Sequence, residues 1–305
     1  MAEQPSPAAG ELRRFILERH PVRGFWIRLD AAWRELRGHQ RYAPAVEALL
    51  GEAVTAAVLL AATLKFHGTL TLQLSGDGLV SLLVAQCTHD FAVRAVARFD
   101  PSVDGPADFR QLVGDGRLTV TIEAEERAAR YQGIVALTGA SLARCLENYF
   151  ATSEQLPTRL ALAADADSAG GLLLQRTPTA TSAGEAQAAQ SDQAWQGASA
   201  RLAAIEPALL RLASPEELLQ RICGEHDCRL FRAAPVRFQC RCNQGRVAGM
   251  LRSLGAAEMR SILAEQGAVT VTCEFCGRPY RFDAIDVERL FAQDGTNPDA
   301  PGSLN

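Results

Sequence analysis

Lysine is almost missing from this sequence. Lys65 is the only one, and arginine supplies the rest of the 31 basic residues apart from histidine. A GC-rich codon bias accounts for this, and the many alanines agree with it. Strong charge of either sign is missing too: the net charge is −4 and the pI near 5.8, which gives no electrostatic reason to expect a nucleic-acid coat. Long apolar runs are absent. The longest, Ala53 to Leu64, falls short of the roughly 20 residues that cross a bilayer and reads as a buried helix. The opening MAEQPSPAAG has neither a basic start nor an apolar core, so no secretory signal is expected. The expectations that follow are a cytoplasmic location, no membrane partner and thiols kept reduced. Signatures of catalysis are also missing. There is no phosphate loop, no nucleophile elbow and no HExxH. The pieces SGDG and SAGG read as turns, and DADSAG lacks the bidentate glutamate of a calcium loop. His20, His39, His67, His89 and His226 are scattered. The chain is therefore not expected to be an enzyme.

What is present is a chain of 305 residues, 48% hydrophobic and 22% charged, enough for one ordinary soluble domain and one or two small ones. Residues 11–177 read as an α+β core domain. Helical spacing covers Ala45 to Phe66, and alternating segments follow, the first pair joined at Asp77-Gly78. Short turns between strands favour antiparallel pairing. Residues 178–235 read as a linker region. Its start, rich in Ala, Ser, Thr and Gln, suggests a weakly ordered connection, and helical segments follow. One begins at Ser214, with Pro215 at the first helical position and Glu217 completing a capping box. Residues 236–293 read as a small domain: a strand carrying cysteines, two helices, a hairpin and a closing helix. The ends, 1–10 and 294–305, read as flexible tails.

Eight cysteines are present, six of them beyond residue 222. Cys87 and Cys145 sit in apolar patterns and read as small buried hydrophobes. Cys240-Arg-Cys242 and Cys273-Glu-Phe-Cys276-Gly277 form two close pairs. Residues two apart on a strand share a face, so Cys240 and Cys242 can aim at one point. CxxC followed by glycine makes a tight turn that aims two more. Four thiolates suit one tetrahedral zinc ion, and a domain this small needs such a staple. Arg237, Arg241, Arg246, Arg278 and Arg281 lie near enough in sequence to offset the negative charge. The site can be structural or switching. Thiolates are what oxidants attack, and each pair has an oxidation partner close by.

These residues resemble the heat shock protein 33 family of redox-regulated holdase chaperones. The likeness extends to ATLKFHGTLTLQLSGDG, RYQGIVALTG, LENYFATSEQLPTRL, AGGLLLQ and SILAEQG, so it covers about 11 to 293. The resemblance implies one zinc ion per reduced chain, held by Cys240, Cys242, Cys273 and Cys276. It implies an inactive reduced monomer. Oxidation is then expected to form the Cys240–Cys242 and Cys273–Cys276 disulfides, release zinc and unfold the zinc domain and linker. The oxidised homodimer is expected to bind unfolding client proteins without ATP. Cys223 and Cys228, flanking His226, fall outside the family motif: buried thiols, a second metal site or exchanging thiols all remain open. The linker is also poorer in charge than the family leads one to expect. The rival function is a zinc-ribbon-like module for nucleic acid or protein. Eight arginines against six acidic residues between Val236 and Gln293, with thiolates added, make a poor phosphate-binding surface.

Overall fold

The computed structural model describes residues 10–103, 105–124, 130–178 and 185–292. The tails expected at 1–10 and 294–305 lie outside these, apart from Gly10. The chain is α+β and divides into two compact units between Gln239 and Cys240.

The first unit begins with a hairpin, β1 (Gly10–Leu17) and β2 (Val22–Leu29), then α1 (Ala31–Arg37) and the long α2 (Pro44–Thr63). Next come β3 (Gly68–Ser75), β4 (Val80–Thr88), β5 (Ala92–Phe99), α3 (Phe109–Val113), β6 (Arg117–Ala124), β7 (Arg130–Ala136) and α4 (Leu142–Thr152). After β8 (Thr158–Ala164) and β9 (Ala169–Arg176) run three helices, α5 (Glu185–Ala203), α6 (Pro207–Leu212) and α7 (Pro215–Cys223). Short strands β10 (Cys228–Leu230) and β11 (Ala234–Phe238) end the unit.

The strands form one sheet in the order β7-β6-β3-β4-β5-β11-β1-β2-β9-β8, with β10 also on β1. Consecutive strands pair antiparallel, as the short turns required. The alternation in β3 puts Leu70, Leu72 and Leu74 on the buried face. β11 is the link between two groups of strands. It runs antiparallel to β1, with Val236 opposite Gly10, and parallel to β5, with Phe238 beside Val93.

α2 packs against β3, β4 and β5 from one group and β2, β8 and β9 from the other. A flat sheet cannot offer both groups to one helix, so the sheet curls around it. That explains why α2 is apolar on nearly all sides, with Ala56, Ala57, Val58 and Leu59 fully buried. It passes the length and hydropathy test for a membrane span, yet 78% of its most apolar window is buried inside the protein. Leu59→Ala is expected to cost about 2–5 kcal/mol. A lowered urea midpoint for the first unit is the readout.

The sheet's other face, with Phe15, Leu17, Trp26, Leu172 and Leu174, is covered by α5, α6 and α7. Composition suggested a weakly ordered start to this region, but residues 185–203 are helical. Alanine is the best helix former, and Ala194, Trp195, Ala198 and Leu202 recur at helical spacing and are buried. Ser214 caps α7 by accepting a bond from the Glu217 amide. GGLLLQR reads as a strand and lies in β9, but of SAGG, expected as a turn, only Ser168 stays outside that strand. A Cβ on Gly170 would lie 2.3 Å from the Leu210 carbonyl oxygen, so the glycine lets α6 rest its backbone on the strand.

The second unit contains α8 (Gln244–Leu254), α9 (Ala256–Gln266), the hairpin β12 (Val269–Thr272) and β13 (Pro279–Phe282), and α10 (Ala284–Ala292). Its core is small: Ala248, Leu251, Met259, Val269, Phe282, Val287 and Leu290.

Candidate metal centre

Cys273 and Cys276 occupy the turn between β12 and β13. The Cys273 carbonyl accepts bonds from the amides of Cys276 (3.3 Å) and Gly277 (2.8 Å), and the Cys273 amide donates to the Arg278 carbonyl at 2.9 Å. Gly277 has φ +65°, a conformation that favours glycine, which is the bend expected after the second cysteine. Cys240 and Cys242 do not lie on a strand as expected. β11 ends at Phe238, and both sit in the irregular stretch before α8, whose start is capped by Asn243. Their sulfurs converge through loop geometry rather than through the pleat. Arg246 braces that loop by donating to the Arg241 carbonyl at 3.0 Å.

The four sulfurs lie within 4.8 Å of one another. Cys240 Sγ is 3.7 Å from Cys273 Sγ, and Cys242 Sγ is 3.3 Å from Cys276 Sγ. Four sulfurs at tetrahedral zinc bond lengths of about 2.3 Å stand roughly 3.8 Å apart. The group is therefore of the right size and donor type to hold one thiophilic metal ion.

The Hsp33 protein family model matches residues 10–283. The chain belongs to the Hsp33 family. A 33 kDa chaperonin from Nitrosococcus oceani is 41% identical over 92% of this chain and 94% of its own. One from Chromobacterium violaceum is 40% identical over 93% and 94%. The crystal structure of the Thermotoga maritima Hsp33 homologue covers 95% of this chain and 100% of its own at TM-score 0.81 and 23% identity, and so shares the fold. These relatives are named as chaperonins rather than enzymes.

One residue that sequence reasoning missed completes this Hsp33 site. Tyr280 Oη donates to Cys242 Sγ at 3.0 Å. Burial pushes the Cys242 thiol up, but the bonds from Tyr280 and the neighbouring thiols outweigh it and bring the pKa down to about 7. Cys276 goes the other way, to about 12, because burial and the three nearby sulfurs oppose a second negative charge. Without a cation, Cys242 ionises ahead of Cys240 and Cys276, which burial holds protonated. With a cation among them all four ionise together. The β12–β13 register that places Val271 opposite Tyr280 was readable as a hairpin, but the reach of its hydroxyl was not. Tyr280→Phe removes the donor and raises the Cys242 pKa, so protons compete better for the sulfur. Metal release on acidification should then begin at higher pH, with affinity down about tenfold, the low end for such supporting contacts. A chromogenic chelator titration measures both.

Of the arginines expected near the cluster, Arg237 is engaged elsewhere, pairing with Asp90 beside β5. The charge near Cys242 and Cys276 instead raises the pKa of Arg278, after the larger effect of its bond with Tyr280. Cys87 and Cys145 are fully buried, as their apolar patterns implied. Cys223 and Cys228 are joined to each other as a disulfide. Two histidine pairs meet in space, His20 with His226 and His67 with His89, at ring separations of 4.7 and 4.8 Å.

Proposed function

We propose that this chain is a cytoplasmic, ATP-independent holdase whose activity is controlled by the redox state of Cys240, Cys242, Cys273 and Cys276. The convergence of four sulfurs in a unit with a very small core carries this reading. Zinc, when bound, holds the four sulfurs deprotonated and ties the two pairs together. Oxidation of Cys240 with Cys242, and of Cys273 with Cys276, removes two ligands per disulfide. Two close sulfur approaches, Cys240 to Cys273 and Cys242 to Cys276, run across the pairs. The proposed pairing therefore follows from sequence proximity once the cluster opens, and peptide mapping of the oxidised protein tests it. Without the metal, a core cluster of seven buried residues is too small to hold the second unit. The loosened chain runs back into β11 and the helices α5–α7, whose release would uncover Phe15, Trp26, Leu172 and Leu174 as a surface for unfolding clients. The oxidised form is proposed to pair as a homodimer, and the reduced form to remain a monomer.

The test follows zinc release by a chromogenic chelator during peroxide treatment at raised temperature, with light scattering of a heat-denaturing client on the same samples. Suppression of scattering should track zinc release and reverse with dithiothreitol. Full suppression by a reduced, zinc-loaded sample would refute the reading.

A further inference from the structure

We propose that Cys223 and Cys228 form a second redox site, chemically separate from the four-sulfur cluster, that staples the α5–α7 layer to the sheet when oxidised. Cys223 is the last residue of α7 and Cys228 the first of β10. Their Cα atoms are 6.4 Å apart, within the range a disulfide spans. The intervening turn has its own backbone bonds. The Gly224 amide donates to the Gln220 carbonyl at 3.2 Å, and the His226 amide to the Cys223 carbonyl at 3.2 Å. Gly224 takes φ +62°, which a side chain would disfavour. Main-chain hydrogen bonds thus brace the turn that carries both sulfurs.

Three pieces of the first unit meet at this corner. Arg201 of α5 donates from Nε to the Ile222 carbonyl at 2.7 Å and from a terminal nitrogen to the Cys223 carbonyl at 3.2 Å. The guanidinium therefore adds a side-chain hold on the C-terminal end of α7. Cys228 stands opposite Leu17 of β1, and the Glu18 amide donates to the Asp227 carbonyl at 2.8 Å. A covalent bond here makes the C-terminal end of the helical layer continuous with the strands it covers. With the bond closed, α7 can lift from the sheet only if β10 also leaves β1. With it open, α7 can fray alone.

The two thiols differ in access. Cys223 is 2% exposed, whereas Cys228 is half-buried at the edge of the same apolar cluster. Cys228 is therefore the attacking sulfur. Its thiolate attacks a hydroperoxide, the O–O bond breaks, an alcohol or water leaves, and Cys228 becomes a sulfenic acid. Cys223 then attacks that sulfur, water leaves and the disulfide forms. Two electrons pass from the two thiols to one peroxide. The site would limit how far the layer opens after the cluster is oxidised, and so act as a brake on the surface that the cluster releases.

The proposal goes beyond the cluster reading and has a separate readout. Full-length zinc-loaded protein is reduced, treated with hydrogen peroxide, alkylated and digested, and amide hydrogen exchange is followed across α7. The expected result is a Cys223–Cys228 linked peptide and α7 exchange at least about tenfold slower than in oxidised Cys228→Ala, a modest effect for a cross-link. The reduced forms of both proteins should exchange alike at α7. If Cys228→Ala loosens α7 even when reduced, wild type oxidised with glutathione disulfide in place of peroxide, so that it keeps zinc, is compared with untreated reduced, zinc-loaded wild type. Free, alkylatable Cys223 and Cys228 after full oxidation of the cluster would overturn the proposal. So would a formed disulfide that leaves α7 exchange unchanged.

Discussion

Cys273→Ser is expected to give a protein that holds no zinc and suppresses client aggregation without any oxidant. Three remaining sulfurs cannot complete the tetrahedron, and structural zinc contributes about 10–16 kcal/mol to the folding of small zinc peptides. The second unit has seven buried core residues to set against that loss. It should therefore be unfolded even under dithiothreitol, and the variant should lose reductive control. Chelator assay, amide exchange of α8–α10 and client light scattering read the three parts of this result. A reduced variant that stays inactive and still needs peroxide would show that the four sulfurs do not govern the activity.

Gly170→Val is expected to produce a similar gain of activity by a different route, with zinc still bound. The added Cβ would lie 2.3 Å from the Leu210 carbonyl oxygen, and backbone cannot swing aside as a side chain can. α6 must move off β9. The overpacking itself costs about 1–3 kcal/mol, and it loosens the cover over Phe15, Trp26 and Leu174. Dye binding by exposed apolar surface should rise several-fold, as exposed clusters generally do. Aggregation should then be suppressed in the reduced, zinc-loaded state. Gly249→Ala is the control, since nothing lies within 4 Å of the added atom. Unchanged dye binding and unchanged activity in Gly170→Val would mean that the α5–α7 layer does not hide the client surface.

The parts of this structure that sequence made legible are those governed by local rules. Alternation in β3 and β4, the Asp77-Gly78 turn, the apolar run of α2 and the CxxC-Gly turn each follow from pattern or backbone preference. The parts that were not legible depend on distant partners. Why Gly170 and Gly171 have to be glycines was not legible, because their small size answers to α6 and to Thr55 rather than to their neighbours. The alanine-rich start of α5 read as linker because its large aliphatics are few, yet burial of Trp195 and Ala198 needs only an apolar sheet face to settle on. Cys240 and Cys242 do come together with Cys273 and Cys276, but not by sharing a strand face, since β11 ends before them. Tyr280 needed the hairpin register and the loop position together before its hydroxyl could be assigned to Cys242.

β11 has a mechanical consequence. Its five residues are the seam that joins the two groups of strands, and the chain leaves it only one residue before Cys240. The seam is narrow, with three residue pairs on the β1 side and two on the β5 side. Any tug on the metal-holding unit arrives there first. Were it to unzip, the wrap around α2 would part into two half-sheets, each with a raw main-chain edge turned outward.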